Sequence, residues 1–277
     1  MVELLVVIMI ITILAGLLSI GLARAKSMAN QVVCLNNQRQ LSVGYSAYAS
    51  DNDGRSMSSI TDIAPTDPDN IMYTWAMFGG YPGYLYSNRL ASKWRIKQAT
   101  DISGLKKYRM WPYIQSTSVY KCPSDKYRIK ADGVSLTEIL SYGMNFFVYQ
   151  STHREYRIEA KFRSEFFSRV TEFNYHPLGP SGVFIFIEHP AGYSASQSYI
   201  IFKKTGRFAI AEHPGFRHKN GAIISFADGH SDHRKWSEDE TDPANKIPID
   251  KWGRIEPKHD NRDFNWLWER ATFPKYQ

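Results

Sequence analysis

Only two cysteines, Cys34 and Cys122, occur among 277 residues, which excludes a disulfide-dense scaffold. There is no internal repeat and no low-complexity tract, so a solenoid or array is excluded as well. The net charge of +7 is spread along the chain, with no basic tail and no nucleic-acid motif. That balance reads as solvated surface, and no nucleic-acid partner is expected. GxSxG, a phosphate loop, a dinucleotide fingerprint and HExxH are all missing, and GYSAS (192–196) lacks the final glycine of a nucleophile elbow. No constellation supports an enzyme. Aromatics make up 14% of the chain, enough for a substantial core, so wide disorder is excluded too.

One long hydrophobic run is present. Leu4 to Ala23 carries no charge and only Thr12 and Ser19 as side-chain hydrogen-bonding groups. Its twenty residues span roughly 30 Å as a helix, the thickness of a bilayer's hydrocarbon core. Glu3 lies directly before it, and Arg24 and Lys26 follow it. A carboxylate at the mouth of such a span is costly in lipid and calls for a dedicated partner. Gly16 and Gly21 weaken the helix inside the membrane, where close helix packing uses such residues.

The helical pattern does not stop there. Apolar residues at Ala25, Met28, Val32 and Leu35, then Leu41, Tyr45 and Tyr48, follow three- and four-residue spacings without a proline. This predicts one helix of about 45 residues, or about 70 Å, whose second half lies on a core. Asp51-Asn52-Asp53-Gly54 ends it. Residues 1–26 thus form the transmembrane segment and 27–54 the amphipathic half. The remaining ~225 residues suffice for one large domain or two small ones.

Residues 55–140 read as a long irregular insertion with one or two short helices near Lys97 to Tyr113. Residues 141–277 read as an antiparallel sheet. Strands are expected at 141–149, 182–188, 198–204, 208–211, 222–227 and 230–236, and a closing helix at 263–272 held by Trp266 and Trp268. Asp228-Gly229 between the last two strands predicts a two-residue hairpin turn. That register opposes Ala227 to His230, Ser225 to Asp232 and Ile223 to Arg234, and turns Ile224 and Phe226 toward the helix. A helix followed by an antiparallel sheet it packs on gives an α+β fold.

Candidate sites are few. His218 and Asp228 invite a catalytic reading, but nine extended residues separate them by about 30 Å, and the turn explains Asp-Gly without chemistry. His230, Asp232 and His233 follow the turn, yet 233 faces away from 230 and 232, which falls short of a closed zinc site. Asp51 and Asp53 are weak calcium candidates, since DNDG lacks the later ligands of a calcium loop and reads as a helix-terminating turn. The aromatics from Tyr73 to Tyr86 form either a sugar-stacking surface or the local core of a glycine-rich loop.

The segment VELLVVIMIITILAGLL resembles the N-terminal helix of type IV pilins and of the pseudopilins of type II secretion. The likeness continues through CLNNQRQLSVGYSAYASDNDG (34–54), KCPSD (121–125) and SYGMN (141–145), and closes with His218, nine residues, then Asp228-Gly229. Together these are similar to a pilin-like group of planctomycete-type bacteria with an H-X9-DG element. The resemblance implies a pilin-like fold and a structural subunit of a type II secretion or type IV pilus-like assembly. Its partners would be the membrane, other pilin-like subunits and the secretion or pilus machinery. Glu3 falls on the family's glutamate and would neutralise a neighbouring subunit's N-terminal amine. The family's leader and first two mature residues would precede Met1, so the reading frame is expected to extend upstream. A basic leader would outweigh Arg24 and Lys26 and leave the head outside the cytoplasm, in the periplasm or on an extracellular fibre. A cleaved secretory signal is the other reading of the run.

In an oxidising compartment Cys34 and Cys122 either close a disulfide or stay as two buried thiols. Pseudopilins include calcium-binding heads, which keeps calcium open as the one cofactor. The alternative function is a membrane-tethered module that binds surface polysaccharide through the aromatic loop.

Overall fold

The first helix, α1, runs unbroken from Val2 to Asp51, 50 residues or about 75 Å. The computed structural model describes residues 2–59, 100, 102–131, 134–148, 166–190, 198–199, 201–204, 207–241, 257 and 260–273. The aromatic cluster at 73–86 and GYSAS at 192–196 lie outside them. Every position from Val2 to Ala29 is exposed, and burial begins at Cys34. α1 is therefore long and apolar enough to cross a membrane, and its apolar half is not a core helix.

The helix face that meets the head matches the predicted one from Leu35 onward, with Leu41, Tyr45 and Tyr48 buried and Leu35 packed against the core, but not before it. Met28 and Val32 are more than half exposed, and Ala25 is exposed as well. The buried stripe is Cys34, Asn37, Gln38, Leu41, Ser42, Gly44, Tyr45, Tyr48 and Ala49. It keeps helical spacing, and the apolar pattern marks Leu41, Tyr45 and Tyr48, but Asn37, Gln38 and Ser42 carry polar side chains that such a pattern passes over. Gln38 Nε2 donates to the Ile223 carbonyl at 3.4 Å and Asn37 Nδ2 to the Lys121 carbonyl at 3.2 Å. A buried amide with its hydrogen bonds made is tolerated where an unpaired one is not.

The helix ends at DNDG as expected. Asp53 (φ 55°) and Gly54 (φ 71°) are left-handed, and the Gly54 N–H returns to the Ala49 carbonyl at 2.8 Å. Such a reversal satisfies carbonyls the last turn leaves open.

After α1 come a single turn, α2 (Ile102–Leu105), and a hairpin of β1 (Arg128–Ala131) with β2 (Val134–Thr137). That hairpin falls within the stretch read as irregular. Then follow β3 (Tyr142–Asn145), β4 (Phe184–Glu188), β5 (Ser198–Tyr199), β6 (Ile201–Lys204), β7 (Arg207–Ala211), β8 (Gly221–Phe226), β9 (Ser231–Lys235) and the closing helix α3 (Arg262–Ala271).

The main sheet has five strands in the order β5-β3-β4-β8-β9, while β6 and β7 pair separately. It is mixed rather than antiparallel, because β5 runs parallel to β3. The class is α+β. Each residue of β3, β4 and β8 is buried, so the central strands are covered on both faces. α1 packs on β8, β9 and β4, and α3 packs on β6.

α3 opens on a built cap. Asn261 Oδ1 accepts from the N–H groups of Asp263 (3.1 Å) and Phe264 (3.0 Å). Phe264, Leu267 and Ala271 are its fully buried anchors, and the expected Trp266 and Trp268 pack against the same core half-buried. Trp268 meets Phe147 edge-on at 5.7 Å, and the guanidinium groups of Arg234 and Arg270 lie over the Trp266 ring.

The last hairpin corrects the predicted register. Ser225 pairs with Ser231, Ile224 with Asp232 and Ile223 with His233, one residue out of step. The Gly229 N–H bonds the Phe226 carbonyl at 3.0 Å and the Phe226 N–H bonds the His230 carbonyl at 2.9 Å. With Gly229 at φ 91°, this is a three-residue loop in which a turn is followed by a left-handed glycine. Asp-Gly serves both turns, so dipeptide chemistry alone does not choose between them. The faces change with the register: Ser225, not Ile224 or Phe226, reaches α1, donating to Gln38 Oε1 at 2.9 Å.

Candidate functional site

Four buried side chains from four distant parts of the chain meet beneath α1. Cys34 comes from the first buried turn of the helix, Cys122 from the KCPSD turn, Glu188 from the end of β4 and His218 from the turn before β8. One ligand-type atom from each lies within 4.8 Å of all the others. His218 Nε2 stands 3.3 Å from Cys122 Sγ and 3.2 Å from Glu188 Oε1. Both cysteines and Glu188 are fully buried and His218 is 1% exposed.

Each residue is held from behind. The KCPSD segment follows a short 3-10 turn, Thr117–Tyr120, and is clasped to α1 by Asn37. Glu188 Oε2 accepts the Ile223 N–H at 2.9 Å, which leaves Oε1 toward His218. The Gly215 N–H donates to the Glu188 carbonyl at 2.6 Å, and a Cβ on Gly215 would sit 2.5 Å from Glu188 Cβ. His218 opens a tight turn through Lys219 (φ 50°) and Asn220 (φ 61°), both left-handed, and its carbonyl accepts from His233 Nε2 at 2.6 Å. A non-glycine pair at positive φ is uncommon, and the surrounding contacts must hold it.

A second layer of charge surrounds the four. Asp125 accepts from Lys121 Nζ (2.8 Å), Arg217 Nη2 (3.0 Å) and Ser141 Oγ (2.7 Å). Arg217 Nη1 lies 4.0 Å from Glu188 Oε1, so one guanidinium spans two buried carboxylates. Burial alone would raise both carboxylates. For Asp125 the charges of Arg217 and Lys121 outweigh it, and for Glu188 the His218 hydrogen bond and charge do, so both sit below the ordinary range. Burial alone would lower His218, but its contacts with Cys122 and Glu188 raise it to about 9. The hydrogen bond with Cys34, then burial, push the Cys122 thiol far up. Cys122 is thus held as a thiol beside the His218–Glu188 pair.

This is not a nucleophile–base–orienter triad. A triad places the nucleophile on one imidazole nitrogen and the carboxylate on the other. Here both neighbours meet Nε2. The cluster also lines neither the surface pocket formed by 48–52 with 106–113 nor the one formed by 36–47 with 113–114.

The residues singled out from sequence divide sharply. His218, Cys34 and Cys122 converge, and the two cysteines are not joined by a disulfide. Asp228 and Gly229 lie beyond the other end of β8. There Asp228 Oδ1 accepts the His230 N–H at 3.1 Å and pairs with His230 Nδ1 at 2.5 Å, in the open. His230, Asp232 and His233 do not converge, since His233 turns to the His218 carbonyl and Asp232 Oδ1 accepts the His233 N–H. Asp51 accepts from the Tyr113 hydroxyl at 3.1 Å, and Asp53 lies in the helix-ending turn. Glu3 sits in the first turn of α1.

Glu188 was not anticipated. Its one signal was an acidic residue closing the otherwise apolar run FIFIE, a position that is expensive unless the carboxylate has partners. No protein-family model, no curated protein and no solved structure matches this chain.

Proposed function

We propose that this chain is a structural, pilin-like or pseudopilin subunit, anchored in the cytoplasmic membrane by the first half of α1, with its head outside the cytoplasm. It acts by assembling with like subunits through these helices in a type II secretion or type IV pilus-like machine. The observation that carries the reading is the continuity of α1. One unbroken helix is bare through its uncharged span and buries one face in the head from Cys34 onward. A bare apolar segment of that length needs lipid or other helices around it. A Cβ at Gly16 or Gly21 would meet nothing within 4 Å, which leaves both open to a neighbour's helix. The resemblance of the N-terminal segment to pilins supplies the orientation and the role of Glu3.

The test is crosslinking in cells that express the protein from its own locus, with a photoreactive residue at Val32, which is 63% exposed just below the head. A ladder of oligomers is expected. Glu3→Gln should abolish the ladder while the protein stays in the membrane fraction with a folded head. An unchanged ladder in Glu3→Gln, or monomer alone in the wild type, would overturn the assignment.

A further inference from the structure

We propose that Cys34, Cys122, Glu188 and His218 form a closed, structural site for a divalent cation of the zinc class, which staples the base of the stalk helix to the sheet. The donor set is two sulfurs, one imidazole nitrogen and one carboxylate oxygen, a combination suited to zinc and poorly suited to calcium or magnesium. The proposal is independent of whether α1 spans a membrane or assembles.

Geometry supports it first. Zinc bonds of about 2.0–2.3 Å in a tetrahedron give ligand–ligand edges of roughly 3.3–3.8 Å. The edges from His218 Nε2 are 3.3 Å to sulfur and 3.2 Å to oxygen, and all four atoms lie within 4.8 Å of one another. The two edges from His218 already lie at the short end of that range, and the others need to contract by about 1 Å at most.

Hydrogen bonding by itself serves this arrangement poorly. An imidazole Nε2 carries one proton or one lone pair, yet two neighbours press on it from different directions. A cation at their common centre would accept one lone pair from each of the four ligands. The supports described above are those a metal site requires: the Ile223 N–H orients the carboxylate, and the turn at 219–220 fixes the imidazole.

Charge balances as well. Two thiolates and the Glu188 and Asp125 carboxylates are met by a divalent ion together with Arg217, which reaches both carboxylates, and Lys121, which pairs with Asp125. Binding as thiolates, neutral imidazole and carboxylate would release to solvent or buffer whatever protons these ligand atoms carry, with no change of oxidation state. Full burial of three ligands leaves no open coordination position for a substrate, so the site is structural.

A Cys34–Cys122 disulfide would use the same sulfurs and exclude the metal, so one experiment separates the two. Full-length protein is extracted from membranes in mild detergent and purified without a histidine tag, chelator or reductant. Elemental analysis should find about one zinc per chain. Peptide mapping should find no Cys34–Cys122 disulfide, and both thiols should react only after unfolding in chelator. Replacing zinc with cobalt(II) should produce the visible absorption of a tetrahedral ion together with thiolate charge-transfer bands. Cys122→Ser and His218→Ala should each lower bound metal at least tenfold, whereas His230→Ala, at the exposed end of the hairpin, should leave it unchanged. The cobalt spectrum is read on the wild type, so misfolding of a variant does not blunt the test. A disulfide-linked chain that contains no zinc, or cobalt bound without sulfur ligation, would overturn the proposal.

Discussion

Gln38 of the stalk helix and Ser225 of the central strand β8, 187 residues apart, are joined by a hydrogen bond of 2.9 Å in which the serine hydroxyl donates to Oε1. Gln38 Nε2 donates in turn to the carbonyl of Ile223. One side chain therefore ties α1 to two consecutive positions on the helix-facing side of the sheet. Gln38→Ala removes both bonds and leaves the Ser225 hydroxyl buried without its acceptor. It should cost about 2–3 kcal/mol, from an unmet polar group plus a small cavity. Ser225→Ala should cost less, and the double variant less than the sum of the two. Denaturant unfolding of the four proteins in detergent checks this, and strict additivity would show that the two residues do not act as a pair.

This contact also marks where sequence reading stops. The membrane-length run, the helix end at DNDG, most strand positions and the left-handed glycine at 229 were legible, because each rests on local chemistry. Asn37 and Gln38 were not, since their burial depends on carbonyls far along the chain. The same holds for the site. Cys34, Cys122 and His218 stand out singly, but their convergence with Glu188 is made by the topology that lays β4 and β8 under α1. The hairpin slipped by one residue because Asp-Gly is compatible with a two-residue and a three-residue loop. That slip exchanged the face β8 turns to the helix.

Asp125 gives the head a defined acid sensitivity. Its carboxyl lies below the ordinary value of 3.8 because Arg217 and Lys121 overcome the opposing effect of burial. A carboxylate with a depressed folded pKa stabilises fully above its unfolded value, and the contribution is lost as pH falls through the folded one. Asp125→Asn leaves the Arg217 side chain, 10% exposed, without its closest anion, and should cost about 3 kcal/mol at neutral pH. The gap between wild type and variant should stay constant from pH 7 to about 5, then close below the ordinary carboxylate range. Unfolding titrations across that window measure it. A gap that persists at the lowest pH where the protein still folds would mean that the charge is not the source.

At the hairpin tip, Gly229→Ala places a Cβ at φ 91° with no steric contact around it, so backbone strain alone is added, about 1–2 kcal/mol. Asp228→Asn keeps the acceptor for the His230 N–H and changes only an exposed side-chain contact with His230, so it should be nearly silent. Thermal melts rank the two. If Asp228→Asn melts well below Gly229→Ala, the carboxylate has a role beyond the turn.

Gly221, at the opposite end of the same strand, should be far less tolerant. A Cβ there would fall 2.2 Å from the Arg234 carbonyl oxygen and 2.6 Å from His233 Nε2. The first of these is backbone and cannot swing aside, so β9 must move away from β8 or Gly221 must leave the ladder. Either movement pulls on the turn that sets His218, because the His218 N–H bonds the Gly221 carbonyl and the His218 carbonyl holds His233. Gly221→Ala should therefore cost about 3 kcal/mol or more, above the strain-only cost at Gly229, as overpacking against rigid neighbours does. It should also shift the His218 ring signals in NMR spectra of labelled protein, which Gly229→Ala should leave in place. Equal melting temperatures for the two glycine variants would show that the β8–β9 contact at Arg234 is looser than its distances state.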